Sequence, residues 1–200
     1  MHVATAIELI AVLAFALSGF AEARSKQMDV VGVFTVAFVT AFGGGTVRDV
    51  LLDRRPFYWV EHYEYVILLL VLTLLARPVL RLTSHGATPR LLLVADAVGL
   101  GFFSVTGVAL GLAAEMPWII AAMMGVITGV VGGVLRDVIL NEVPMVLRDG
   151  KPYALAAFIG CWAYLLMLAA ALPAALAQWS AAGLIVLIRL IALRRDWTIG

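Results

Sequence analysis

The sequence predicts an all-α integral membrane protein. Seven transmembrane helices form an inverted repeat of two three-helix units plus a seventh helix, with kinked second and fifth helices. Three observations predict this. The chain of 200 residues is 64% hydrophobic and only 14% charged, with a mean hydropathy of +1.05, leaving too little polar surface for a water-soluble domain. Its apolar runs approach the ~20 residues that a bilayer-spanning helix requires. A glycine cluster followed by Arg-Asp occurs twice, as Gly43-Gly44-Gly45-Thr46-Val47-Arg48-Asp49 and as Gly132-Gly133-Val134-Leu135-Arg136-Asp137.

The spans fall at about 4–21, 30–52, 60–80, 91–113, 118–140, 153–172 and 175–193. Ala21-Glu22-Ala23 superficially fits a signal-cleavage site, but no Lys or Arg precedes the apolar region and Glu8 interrupts it, so the first stretch reads as a retained span. Polar stretches at 22–29, 53–56, 83–90 and 148–152, with Glu115-Met116-Pro117 and the turn at Pro173, separate the others. The second span needs its glycines inside it, because residues 30–42 alone make only about 20 Å of helix against a ~30 Å core. The Arg-Asp pairs therefore lie within the membrane's thickness, where each charge costs roughly 2.5–3.5 kcal/mol at the centre.

One offset of 88 residues carries Gly44 to Gly132, Arg48 to Arg136, Asp49 to Asp137 and Pro56 to Pro144. Residues 43–56 and 131–144 are identical at seven of fourteen positions. The same offset takes Glu8 to Asp96, Phe15 to Phe103, Ser18 to Thr106 and Gly19 to Gly107. An odd number of spans per unit inverts the second copy relative to the first. The expected units are 1–82, 83–173 and, for the seventh helix and tail, 174–200. Nine basic residues (Arg24, Lys26, Arg77, Arg81, Arg90, Arg148, Lys151, Arg194, Arg195) fall on one side and two, Arg54 and Arg55, on the other. The positive-inside rule then puts the amino terminus outside and the carboxyl terminus in the cytoplasm of a cell inner membrane.

Glu8 and Arg48 fall at one depth in this scheme, and Asp96 and Arg136 at another. Residues adjacent in sequence do not face each other on a helix, so Glu8–Arg48 and Asp96–Arg136 are the expected pairs, with Asp49 and Asp137 lining a polar path. Four acids against two bases give a net −2, a lining that favours cations. Three successive glycines serve packing poorly, so residues 43–45 and 132–133 read as helix breaks that free backbone carbonyls toward a cavity. Gly107/Gly111 and Gly125/Gly129 have the spacing of close helix contacts and are candidates for faces between subunits.

Other chemistries are excluded. There is no basic block for nucleic acid, no phosphate-binding loop and no nucleophile–base pair, so neither enzyme nor cofactor is expected. His2, His62 and His85 lack metal spacing, and the single Cys161 forms no intrachain disulfide.

The doubled motif at residues 44–49 and 132–137, inside a seven-span inverted repeat, resembles prokaryotic trimeric intracellular cation (TRIC) channels over about residues 4–195. The resemblance implies a homotrimer whose subunits each hold a potassium-permeable pore made by the second and fifth spans. It implies a pore or gate role for Gly43, Gly44, Gly45, Arg48, Asp49, Gly132, Gly133, Arg136 and Asp137, with Glu8 and Asp96 as supporting intramembrane charges. Potassium or other monovalent cations and membrane lipid are the implied partners. Of the basic residues with which eukaryotic members bind lipid, only Arg136 has a match. The repeat also resembles a glycine-transporter-type domain, so a secondary transporter of a small amino acid such as glycine stands beside the channel.

Overall fold

The computed structural model describes the backbone of residues 2–82, 89–148, 150 and 152–195, and side chains within 5–75, 92–148, 150 and 152–195. The expected 83–90 connection, His85 and the side chains of His2, Arg77, Arg81 and Arg90 lie mainly or wholly outside the described residues. Among the described residues every regular element is helical: α1 (His2–Ser25), α2 (Val30–Leu51), α3 (Tyr58–Glu61), α4 (Tyr63–Leu82), α5 (Pro89–Ala113), α6 (Trp118–Ile139), α7 (Ala154–Ala169) and α8 (Ala174–Arg194), with a 3-10 turn at Met145–Leu147.

Local chemistry explains the boundaries. Asp29 caps α2, its Oδ1 accepting from Gly32 N at 2.8 Å. Pro117 and Pro173 precede α6 and α8, where the missing N–H costs nothing. α2 and α6 end alike: Leu52 N donates to Arg48 O and Leu140 N to Arg136 O, at 2.9 and 3.1 Å. The following residues, Asp53 (φ 50°) and Asn141 (φ 56°), take the left-handed conformation that Asp and Asn tolerate. Gln27 and Glu115 repeat this after α1 and α5. The pairs Leu52 and Leu140, Asp53 and Asn141, and Gln27 and Glu115 all keep the offset of 88.

Two elements depart from the expected spans. The third is divided: one turn of α3 ends at His62, and α4 starts at Tyr63, with an apolar stretch Tyr63–Leu75. The sixth is a helix of only 16 residues, about 24 Å long, because the chain turns at Ala171 (φ 58°) before Pro173. Among the described residues, five helical stretches are long and apolar enough to cross a membrane: Thr5–Ser25, Val30–Leu51, Leu92–Ala113, Trp118–Ile139 and Ala174–Arg194.

α1, α2, α6 and α5 pack in a closed circuit, each against the next. α4 lies against α2 as α7 lies against α6, while α8 packs on α5 and α7 without an equivalent. The interior is rich in small residues, among them Ala11, Ala37, Ala97, Ala121 and Ala157. That composition suits helices in lipid, where close backbone approach and hydrogen bonds replace a hydrophobic driving force. The outward face of α4 exposes Ile67, Leu70, Leu74 and Leu75.

Candidate functional site: two buried Arg–Asp centres

α2 and α6 continue as unbroken α-helix through their glycines. The expected breaks are absent, and each glycine has a steric task instead. A Cβ at Gly44 would stand 2.2 Å from Thr128 O, and one at Gly132 would stand 2.5 Å from Thr40 O. The two backbones touch through equivalent glycine–threonine contacts, so only hydrogen fits. Gly19 and Gly107 repeat the device against Thr40 and Thr128. Gly45 instead leaves room for the guanidinium one turn on, Arg48 Nη2 lying 3.7 Å from where its Cβ would be, and Gly133 leaves room first for Tyr153 Oη at 3.1 Å and then for Asp96 Oδ1 and Arg136 Nη2 at 3.7 and 3.9 Å. Gly43 faces the flexible end of Leu135. Gly125 and Gly129 contact Ser104 and Leu100, and Gly111 contacts Ala121. These faces are therefore consumed by α5–α6 packing within the chain rather than offered to another subunit.

Both arginines are buried, each 1% exposed. Arg48 Nε donates to Asp49 Oδ1 at 2.9 Å, and Arg136 Nε to Asp137 Oδ1 at 2.8 Å. This corrects the expectation that neighbours in sequence stay apart. The facing rule concerns Cβ directions, about 100° apart for adjacent residues on a helix, and a long arginine folds back across that step. The second carboxylate oxygen secures the next turn: Asp49 Oδ2 accepts from Tyr58 N at 2.9 Å and Asp137 Oδ2 from Met145 N at 2.8 Å. Each aspartate thus ties an arginine to the chain's re-entry after its helix, rather than facing a path freely.

The centres then diverge. Arg136 Nη1 donates to Asp96 Oδ1 at 2.9 Å, the pairing expected from the repeat, and to Ser18 Oγ at 2.6 Å. At Arg48 the corresponding acid makes no such bond. Glu8 lies in the electrostatic range of Arg48, but no ion pair or hydrogen bond joins them among the described residues. Arg48 Nη2 contacts Asp49 Oδ1 at 2.8 Å without hydrogen-bond geometry, and Nη2, Tyr58 Oη, Asp96 Oδ2 and Tyr153 Oη are buried without a partner in good hydrogen-bond geometry among the described residues, although Tyr58 lies near Tyr65 and Tyr153 near Asp96. A buried unpaired polar atom costs about 1–3 kcal/mol, so their gathering around two charged centres marks polar interior space.

A third buried cation escaped the sequence reading. Arg189 of α8 is 1% exposed. Its guanidinium lies 4.5 Å from the Tyr153 ring centre, with Nη1 3.4 Å from Pro152 O and Nη2 3.7 Å from Met145 Sδ. An arginine in the apolar run of 181–193 was the available signal, but the seventh helix has no copy against which to compare it. Arg189 also changes the charge count. Four acids against three bases give −1 in place of −2.

A cavity of about 380 Å³ reaches the second centre, lined by Arg136, Asp137, Glu22, Glu142, Ser25 and Arg148 with apolar neighbours. Lys26 forms an ion pair with Glu142 at its edge. The hydrogen bond and charge of Lys26 hold the Glu142 carboxyl below its usual range, and those of Glu142 hold the Lys26 ammonium above its own. Among the described residues no group of three or more side chains could hold a metal ion.

Apolar helices enclosing two equivalent charged centres define a polytopic membrane protein of duplicated design. The chain belongs to the TRIC channel family. A family model described as "Glycine transporter" matches residues 5–79 and again residues 93–169. The structure is similar to that of the TRIC trimeric intracellular cation channel orthologue from Rhodobacter sphaeroides, with 33% identity, a TM-score of 0.90, and coverage of 98% of this chain and 100% of the other. It is similar also to a prokaryotic TRIC channel determined in 0.5 M KCl, at 26% identity and a TM-score of 0.87, covering 98% of each chain. The UPF0126 inner membrane protein YadS of Escherichia coli is 41% identical over 77% of this chain and 73% of its own length. A UPF0126 membrane protein of Vibrio cholerae is 38% identical over 94% of this chain and 78% of its own.

Proposed function

We propose that this protein is a passive channel for monovalent cations, potassium above all, working as a homotrimer with one pore in each subunit. The observation that carries the reading is the match of 98% of the chain to a TRIC cation channel with a TM-score of 0.90. α2 and α6 line the pore in this reading. Their Arg–Asp centres hold its two ends, while the contact of Gly44 and Gly132 with the opposite helix sets its waist. Counting half-buried Glu8 with the buried Asp49, Asp96 and Asp137, acids outnumber the three buried arginines by one, so the interior favours cations. The repeat units are 1–82 and 83–173, followed by 174–200. The protein sits in the inner membrane with its amino terminus outside, and its basic loops face the anionic lipid of the cytoplasmic leaflet.

Proteoliposomes loaded with potassium test the reading. The channel releases potassium down its gradient without a co-substrate. A transporter, as the family model's description has it, takes up glycine saturably and exchanges it by counterflow. Glycine exchange without potassium release would overturn the proposal.

A further inference from the structure

The divided third span places a histidine where the chain's other half has none. His62 ends the single turn of α3, its N–H donating to Tyr58 O at 2.9 Å. Its ring packs on both neighbouring tyrosines, 4.6 Å from the Tyr58 centroid and 5.7 Å from that of Tyr65. Nδ1 lies 3.4 Å from Glu64 Oε1, and the imidazole is 31% exposed. Water therefore reaches a ring that backbone and aromatic contacts hold in place. The residue 88 positions on is Gly150, so the Arg136 end carries no such group.

The same turn touches the first charged centre. Tyr58 N, at the start of α3, donates to Asp49 Oδ2 at 2.9 Å, and Asp49 Oδ1 accepts from Arg48 Nε. Tyr58 thus stands between the imidazole and the Arg48–Asp49 pair, joined to each side through its backbone. Charged and titratable groups reach His62 from every element packed there. α2 supplies Arg48 and Asp49 by way of Tyr58, and α1 supplies Glu8, within electrostatic reach of His62. Arg54 of the preceding loop is paired with Glu61 of α3 at 3.7 Å, and α4 contributes Glu64 and Tyr65. Histidine is the side chain that ordinarily changes charge between about pH 5 and 8. Glu8 is the competing titratable group, and the experiment below separates the two.

We propose that His62 is a proton-sensing site that regulates the cation path from the outer face. The inference rests on the channel reading and on its orientation, which puts the loop between α2 and α3 outside. Protonation adds one unit of positive charge beside the Arg48 centre, whichever partners surround the ring. Positive charge at a mouth lowers the local concentration of cations. Acid outside therefore reduces the cation current, and returning to alkaline solution restores it. The inner end, with Gly150 in the equivalent place, is insensitive.

Two measurements on the purified full-length protein test it. The first is unitary potassium conductance with the pH of one side stepped from about 8 to about 5 in dilute salt. Wild type should lose about half its conductance, the Coulomb effect of one unit charge about 10 Å from the ion in water. The loss should follow acid on one side only, and should vanish at about 1 M salt, where the Debye length is ~3 Å. His62→Gln should be flat across the range. His2→Gln with His85→Gln, which leaves His62 the one histidine of the chain, should titrate as wild type. Glu64→Gln should move the midpoint to lower pH, because it removes a carboxylate that favours the imidazolium. A response that persists in His62→Gln and disappears in Glu8→Gln assigns the proton to Glu8 and overturns the site. If His62→Gln fails to fold, an unshifted midpoint in Glu64→Gln overturns it. The second measurement needs no current: the Arg48 Nε–H resonance in protein labelled with nitrogen-15 arginine should move over this range in wild type and stay fixed in His62→Gln. A protein that is electrically silent yet shows that movement keeps the sensor and rejects the channel. A resonance indifferent to pH in wild type overturns the sensor whether or not the protein conducts.

Discussion

Adding one methyl group to each of two neighbouring glycines should have opposite effects. In Gly44→Ala the new Cβ would stand 2.2 Å from Thr128 O, against ordinary contact at 3.4 Å and beyond. The obstacle is backbone in the middle of α6, so α2 and α6 must part by roughly 1 Å. Overpacking of this kind costs about 1–3 kcal/mol. In Gly45→Ala the new Cβ meets the Arg48 guanidinium, Nη2 at 3.7 Å and Cζ at 3.9 Å, both ordinary contacts, and replacing an interior helical glycine gains up to about 1 kcal/mol. The two variants should differ by about 1–4 kcal/mol with Gly44→Ala the weaker. Unfolding of the detergent-solubilised protein by titrated dodecyl sulfate measures the difference. A glycine hinge would make the two substitutions equivalent, since either stiffens the same segment. Equal midpoints would refute the packing account of the glycines.

In a double-mutant cycle, Asp96→Asn with Arg136→Gln should show coupling of at least about 1 kcal/mol, whereas Glu8→Gln with Arg48→Gln should be weaker, because only the first pair is joined directly; equal coupling in the two cycles would contradict the geometry. Arg189→Met keeps much of the packing of Arg189 while removing a buried cation that has no carboxylate bound to it, so stability by the same titration should change by less than about 2 kcal/mol. The same variant should move the reversal potential under a potassium chloride gradient toward the potassium equilibrium value. A shift toward chloride would show that Arg189 does not weigh on the path.

The sequence made the skeleton legible because the repeat compared the chain with itself. The expected spans 30–52 and 118–140 met the ends of α2 and α6 to within a residue, and the pairs Gly44 and Gly132, Arg48 and Arg136 tied the two helices together at one offset. The Asp96–Arg136 bond followed from depth alone. What depth could not supply was side-chain reach. Glu8 and Arg48 share a depth, yet Arg48 turns to its own neighbour Asp49, which also fastens Tyr58 N. The glycines misled for a related reason. A run of three looks like a break from one helix alone, and only the opposing Thr128 carbonyl reveals why Gly44 must lack a side chain. Arg189 and the division of the third span at His62 lay outside the repeat pattern, so the comparison was blind to them.

The most direct test of a passive cation path is the reversal potential of purified protein in a planar bilayer between unequal potassium chloride solutions. The account predicts discrete unitary steps that reverse near the potassium equilibrium potential and follow it when the gradient is inverted. A membrane that stays silent, or currents that reverse near the chloride potential, would contradict it.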